Sequence, residues 1–359
     1  MERQITKLLL TLISIISINL IVAEALPNAN ATFYNPVVDY YSPDPYVTKY
    51  NGSYWLVLSD NDVLTVHNSS KLYDYRNATT SVAYQVGPGF DRGSVWAPEI
   101  HNIKGDWYIY FAMSGNGSSH RMYVIKAENS SNPLGKWSSP VRMYLDAVND
   151  AWAIDATVLQ YGNGKNYLIW SAWPREDPVY PSNGSIYIAE LETPFKIKGE
   201  RILLREPHEA WEAGDVDGVK IALVNEGPQV LQHDNRTFVF FSANGAWLPD
   251  YCLGMMGIDN LKDPLVPSNW WNKIDGPVFW RNDEQSVYTT GHCSLTTSPD
   301  DTETWLVYHA TDRILPPGEL QTIRKTRAQK ISWDSNGNPV FPRPVGLSTP
   351  IPVPSGQKL

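Results

Sequence analysis

Tyr54-Trp55-Leu56-Val57, Trp107-Tyr108-Ile109-Tyr110, Tyr167-Leu168-Ile169-Trp170, Phe238-Val239-Phe240-Phe241 and Trp305-Leu306-Val307-Tyr308 are five versions of one phrase, a short aromatic strand entered from Gly, Asn or Asp turn material. Their leading aromatics stand 53, 60, 71 and 67 residues apart. An all-β unit that returns at about this period marks a propeller, each unit one blade. The strand before each aromatic one opens on Asp44 in the first repeat, Asp155 in the third, Glu226 in the fourth and His292 in the fifth. Equivalent positions in radially arranged blades converge, so three carboxyls and an imidazole are expected to face one pocket on the central axis.

Working outward, the repeats fall at about 27–90, 91–148, 149–215, 216–285 and 286–348. Period-two alternation and aromatic or β-branched runs dominate between Gly, Pro, Asn and Asp clusters, and amphipathic helix patterns are nearly absent. Asn336-Gly337 predicts a hairpin turn that completes the last repeat. The tail, Pro350 to Leu359, is expected to be an exposed end. The expectation is therefore an all-β, five-bladed β-propeller with a central axial pocket, a single domain over residues 26–359.

Residues 1–25 read as a secretory signal peptide. Arg3 and Lys7 precede an apolar run from Leu8 to Val22, and Ala23-Glu24-Ala25 follows as a small-x-small cleavage pattern. The run is short for a membrane span, and no later segment is apolar enough to be one. Eight Asn-x-Ser/Thr sequons, at Asn30, Asn51, Asn68, Asn77, Asn116, Asn129, Asn183 and Asn235, fit an exported, glycosylated surface. A net charge of −9 without a basic cluster argues against nucleic acid. The reading is a secreted, extracellular monomer that handles neutral polymers and has no membrane partner. Cys252 and Cys293 either pair in that oxidising setting or pack as buried thiols, and the sequence leaves both open.

The acids carry the chemistry. Pro43 and Pro45 fix the backbone around Asp44. Glu226 stands beside Gly227-Pro228 at the mouth of a strand, a poor place for a surface ion pair. Asp155, in Ile154-Asp155-Ala156-Thr157-Val158, sits on an apolar strand where burial would raise its pKa. Like charges in one pocket push such pKa values apart and leave one acid protonated near neutral pH. Glycosidic cleavage requires that division: one carboxylic acid protonates the leaving oxygen and one carboxylate activates water from the other face. Acids on different blades suit the wider carboxyl separation of inverting enzymes, roughly 6.5–9.5 Å.

Asp44-Pro45-Tyr46, Val95-Trp96-Ala97-Pro98-Glu99-Ile100, Ile154-Asp155-Ala156-Thr157, Glu226-Gly227-Pro228 and Gly291-His292 together resemble glycoside hydrolase family 43, five-bladed propellers that act on arabinose- and xylose-containing polysaccharides. The resemblance implies a general base at Asp44, a general acid at Glu226 and a pKa modulator and orienter at Asp155, with inversion at the anomeric carbon. Trp96 and Trp173 are substrate-binding candidates as rings that stack on sugar faces or cap the pocket, and the resemblance puts His292 at the propeller centre, as a further substrate contact, and Arg324 against sugar hydroxyls. Arg327, three residues on, is then expected to be solvated or paired. No cofactor is required, although many relatives hold a calcium ion at the axis through one His and several waters, which would fall at His292. The motifs of the last two repeats, Tyr251-Cys252-Leu253-Gly254 and Gly291-His292-Cys293-Ser294, look most like the α-L-arabinofuranosidase branch. The expected function is release of terminal arabinofuranose from arabinan or arabinoxylan. A β-D-xylosidase or an endo-arabinanase would share the chemistry. A catalytically inactive glycan-binding propeller would lack one of the acids, and none is missing.

Overall fold

Each aromatic phrase becomes the second strand of a four-stranded antiparallel sheet in the computed structural model, which describes residues 31–358 apart from 61, 118, 176–182, 217–218 and 317–322. The signal-peptide reading of 1–25 and the Asn30 sequon lie outside the described residues. After β1 (Thr32–Phe33), the first blade holds β2 (Tyr46–Tyr50), β3 (Ser53–Asp60), β4 (Val63–Ser69) and β5 (Thr79–Gln85). The second holds β6 (Trp96–Ile103), β7 (Asp106–Met113), β8 (Arg121–Lys126) and β9 (Val141–Arg142). The third holds β10 (Ala153–Gln160), β11 (Asn166–Ala172), β12 (Ser185–Thr193) and β13 (Lys196–Arg205). A hairpin of β14 (Ala213–Val216) and β15 (Val219–Leu223) leads to the fourth blade: β16 (Asn225–His233), β17 (Arg236–Ala243), β18 (Cys252–Asp259) and β19 (Trp271–Asn272). The fifth holds β20 (Tyr288–Thr297), β21 (Thr304–Thr311), β22 (Lys325–Trp333) and β23 (Pro339–Val340), and β24 (Ile351–Pro352) ends the chain. Asn336-Gly337 turns β22 into β23, where the hairpin was expected.

The aromatic strands are apolar on both faces because each blade packs another sheet on either side. From Trp107 to Met113 every residue of β7 is buried. A short continuous apolar run of this kind is a fully buried strand. The described residues form five hydrophobic cores, one at each junction between neighbouring blades. Tyr110 and Trp170 join the second and third blades, Ile169 and Phe241 the third and fourth, and Phe240 and Tyr308 the fourth and fifth. Leu56 and Trp305 join the first and fifth, and Val66 and Trp107 join the first and second. Five junctions for five blades close the ring.

Closure is laced by the segment before β2. The Asn35 amide donates to the Ala328 carbonyl (3.3 Å) and accepts the Ala328 N–H (2.9 Å). Ser42 N–H donates to the Arg324 carbonyl at 3.0 Å, and the Thr326 N–H donates to the Ser42 hydroxyl at 2.9 Å. The tail is not the exposed end expected from its composition. β24 pairs with β1, Phe33 opposite Ile351, and Ile351 is buried in the first–fifth core.

Candidate active site

Every first strand enters at the same face, and its mouth carries a residue in the left-handed region: Asp44 (φ 52°), Ala97 (φ 44°), Asp155 (φ 59°), Gly227 (φ 53°) and His292 (φ 43°). In blades two to five this residue sits in a break of register, between Trp96 and Glu99, Ile154 and Thr157, Glu226 and Gln229, and Gly291 and Ser294. A bulge re-aims side chains at a strand's mouth. The sequence reading put Glu226 at the same repeat position as Asp44 and Asp155. The structure corrects that: Gly227 is the equivalent residue, and Glu226 stands one place earlier, level with Trp96 and Gly291.

The strand mouths bring the candidates together all the same. Asp44, Trp96, Asp155, Trp173, Glu226, His292 and Arg324 all line one cavity of about 480 Å³ at the entry face, with Tyr41, Trp152 and Trp247 among the other walls. That volume is in the range of small-molecule sites. Trp96 is 41% exposed and lies on His120 with ring centroids 3.5 Å apart. Trp173 lies on Trp152 at 5.1 Å. These paired rings are flat apolar platforms with polar edges, suited to a sugar face.

Asp44 is held through one oxygen. Its Oδ1 accepts from Arg324 Nη1 at 3.1 Å and lies 3.4 Å from His292 Nδ1. Its backbone N–H donates to His309 Nδ1 at 3.1 Å. The same nitrogen is 3.2 Å from Oδ1, but a nitrogen that accepts the N–H cannot also donate to the carboxylate. Burial pushes His309 down to about 4, so its ring is neutral. Burial alone would raise Asp44, yet Arg324, then His292, outweigh it and hold the carboxyl well below the usual range.

The other two acids shift the opposite way. Burial raises Asp155, and the charges of Glu226 and Asp44 add to it against His292 and the Gly227 N–H, which donates to Asp155 Oδ2 at 2.9 Å. Burial likewise raises Glu226, against the opposing pull of His292 and the Tyr251 hydroxyl. Tyr251 donates to Glu226 Oε1 at 2.7 Å. The strand that carries Glu226 is pinned next door, where Asn225 N–H donates to Gly184 O (2.8 Å) and the Asn225 carbonyl accepts from Ser171 Oγ (2.8 Å). His292 faces all three acids. Burial opposes its charge, but Asp44, then Asp155 and Glu226, raise its pKa overall.

Tyr251, His309 and Tyr41, whose hydroxyl accepts from Arg324 Nη2 at 3.4 Å, were not singled out from sequence for this site. Tyr251 stood in a quoted motif; His309 and Tyr41 carried no signal. Arg327 is not solvated: it is buried, with Nη1 donating to the Val345 carbonyl at 3.4 Å. Cys252 and Cys293 are buried, unpaired thiols. Among the described residues no group of three or more His, Cys, Asp or Glu could hold a metal, and Arg324 already places a cation on Asp44. Calcium prefers oxygen ligands, and a neighbouring guanidinium disfavours it further.

The comparisons agree with this geometry. The family model for glycosyl hydrolases family 43 matches residues 33–339. An extracellular exo-α-(1→5)-L-arabinofuranosidase of Streptomyces avermitilis is 32% identical over 332 residues, 90% of this chain and 66% of that protein. One of the same name from Streptomyces chartreusis is 32% identical over 298 residues, 80% of this chain and 85% of that one. This chain thus spans just under two thirds of the first relative and most of the second. The crystal structure of α-L-arabinofuranosidase from Lactobacillus brevis superposes with a TM-score of 0.78 at 30% identity, over 88% of this chain and 98% of that one. With its five blades and three axial acids, the chain belongs to glycosyl hydrolases family 43.

Proposed function

We propose that this protein is an exported, inverting α-L-arabinofuranosidase that removes terminal arabinofuranose from arabinan- or arabinoxylan-type chains. One observation carries the reading: three carboxyls from three blades share a single pocket in environments that drive their pKa values apart, Asp44 down and Asp155 and Glu226 up. Titratable pairs separated in this way mark acid and base assignments. Asp44, ionised and held through Oδ1, keeps Oδ2 for a water molecule and takes its proton as that water attacks the anomeric carbon. Glu226 gives its proton to the glycosidic oxygen as the carbon–oxygen bond breaks. Asp155 and Glu226 cannot both ionise easily side by side, so the pair keeps a proton for Glu226 to deliver. Arg324 and His292 orient Asp44 and reach toward sugar hydroxyls, and Trp96 and Trp173 form the walls against which the furanose rests.

The names of the Streptomyces relatives support the arabinofuranoside and exo assignments, and a pocket suits a chain end better than an internal unit. Export rests on the signal-like residues 1–25 and on relatives named extracellular. Among the described residues no helix is long and apolar enough to cross a membrane. The test is a paired assay on 4-nitrophenyl α-L-arabinofuranoside and 4-nitrophenyl β-D-xyloside, with product anomers followed by proton NMR. The arabinoside should turn over faster and the first-formed sugar should be the β-anomer. Preference for the xyloside, or a first-formed α-anomer, would overturn the substrate or the stereochemical assignment respectively.

A further inference from the structure

Tyr251 occupies a place that the three-acid scheme leaves without a role. Its side chain is fully buried, and its hydroxyl donates to Glu226 Oε1 at 2.7 Å. The ring lies parallel to His309, 4° between planes with centroids 5.6 Å apart, and His309 in turn takes the N–H of Asp44. Room for the ring comes from residue 291, where a Cβ would stand 2.3 Å from Tyr251 Cε1. The strand mouth of blade five can therefore carry only glycine there while this tyrosine is in place. Ser242 lies opposite Glu226 in the β16–β17 pair. Its Oγ accepts the His292 N–H at 2.7 Å, which ties the strand mouth of blade five to the residue across from Glu226.

We infer that Tyr251 is a positioning residue for proton donation: it fixes which oxygen of Glu226 carries the proton and holds the carboxylate left behind. The inference rests on Glu226 as the acid. Burial and the charges of Glu226 and Asp44 raise the Tyr251 pKa, so the phenol keeps its proton and directs it at Glu226 Oε1. Oε1 is thereby an acceptor, and the transferable proton sits on Oε2. As that proton moves to the leaving oxygen, Glu226 becomes charged, and the Tyr251 hydrogen bond becomes a charge-assisted one. It is stronger late in the reaction than at its start, the kind of contact that accelerates a chemical step.

The test compares wild type, Tyr251→Phe and Glu226→Gln on α-L-arabinofuranosides of graded leaving groups. The series runs from 2,4-dinitrophenol, which departs without a proton, to phenol and an arabinobiose, which need one. Tyr251→Phe should lower kcat on the phenyl glycoside and the disaccharide by about ten- to a hundredfold, the weight of a hydrogen bond to a charged group. It should change kcat on the dinitrophenyl substrate less than about threefold. A merely structural tyrosine would depress all substrates alike, and that result, or no loss on any, overturns the inference. Glu226→Gln separates the two claims. If it shows no leaving-group selectivity, the acid assignment fails and takes the inference with it. If it shows the selectivity and Tyr251→Phe does not, only the inference falls. Should Tyr251→Phe melt early, the assays run below its midpoint, where the same selectivity must appear.

Discussion

Asp155 accepts one backbone hydrogen bond, from the Gly227 N–H, and is otherwise tied to Glu226 by like-charge repulsion, which with burial raises Asp155 to about 8. Asparagine keeps the acceptor and removes the charge, so Asp155→Asn isolates that second role. The active form keeps one proton on this pair for Glu226 to deliver, and that last proton leaves against the charge of the carboxylate already formed. With asparagine, Glu226 releases its proton at lower pH. The descending limb of kcat/KM should therefore move to lower pH by about one unit, the usual size of a near like-charge effect. The ascending limb belongs to Asp44, which Arg324 and His292 hold well below the usual carboxylate range, and it should stay. The pH dependence of kcat/KM reports these groups in the free enzyme. A basic limb that stays put, or moves up, would remove Asp155 from this role. The three acids were legible in sequence because each stands beside a residue that constrains it, Pro43 and Pro45, Ile154 and Ala156, or Gly227 and Pro228. The one-residue offset of Glu226 was not read from the repeats. Its clue was Gly227, since glycine takes the left-handed backbone most cheaply, and that residue aligns with the strained Asp44 and Asp155. His309 was illegible because its partner Asp44 lies 265 residues away.

Elements were easier to find than the contacts that bind the first of them to the last. The second strands announced themselves as aromatic runs, since burial on both faces removes any polar alternation. The lacing of residues 35–42 onto β22 left no such pattern. Its bonds run from backbone to backbone or from short polar side chains, and Asn35 looks like loop material in sequence. Yet this lacing sets the site. Ser42 bonds the Arg324 carbonyl two residues before Asp44, and the Arg324 side chain returns to Asp44 Oδ1. Ring closure and base placement thus share one strand junction. Asn35→Ala removes both amide bonds to Ala328 and leaves a buried N–H and carbonyl unpaired. The variant should lose about 2–4 kcal/mol of stability, read as a lower denaturation midpoint at unchanged slope. An unchanged midpoint would show that the first–fifth junction is held by its apolar core alone.

At the scale of the whole molecule the two faces of the ring differ. First strands enter, and second strands end, at the pocket face: Trp96, Glu226 and His292 line the cavity beside Ser59, Trp173 and Trp247. The turns between first and second strands, and between third and fourth, therefore lie on the opposite face. Asn51 and Asn235 sit in the first kind of turn, in blades one and four, and Asn77 and Asn129 in the second kind, in blades one and two. All four are exposed. Asn129 Oδ1 already accepts from the Ser131 N–H and hydroxyl, so its Nδ2 is left for a glycan. Asn68 belongs to β4, and its Nδ2 is buried. A glycan needs an asparagine nitrogen that reaches solvent in the folded state, and bulky sugars near the pocket would hinder a polymer chain. Produced in a eukaryotic secretory host, the protein should carry glycans at Asn51, Asn77, Asn129 and Asn235 and none at Asn68, as read by mass spectrometry of its peptides. Asn116 and Asn183 stand between second and third strands, on the pocket face; with both replaced by Gln, enzymatic trimming should leave hydrolysis of arabinan within about twofold, because the four remaining sugars hang from the far side of the ring. Occupancy at Asn68 would contradict the buried amide. A large gain in polymer hydrolysis on trimming would mean that these glycans crowd the pocket after all, and that the division of labour between the two faces is not the one the strand directions imply.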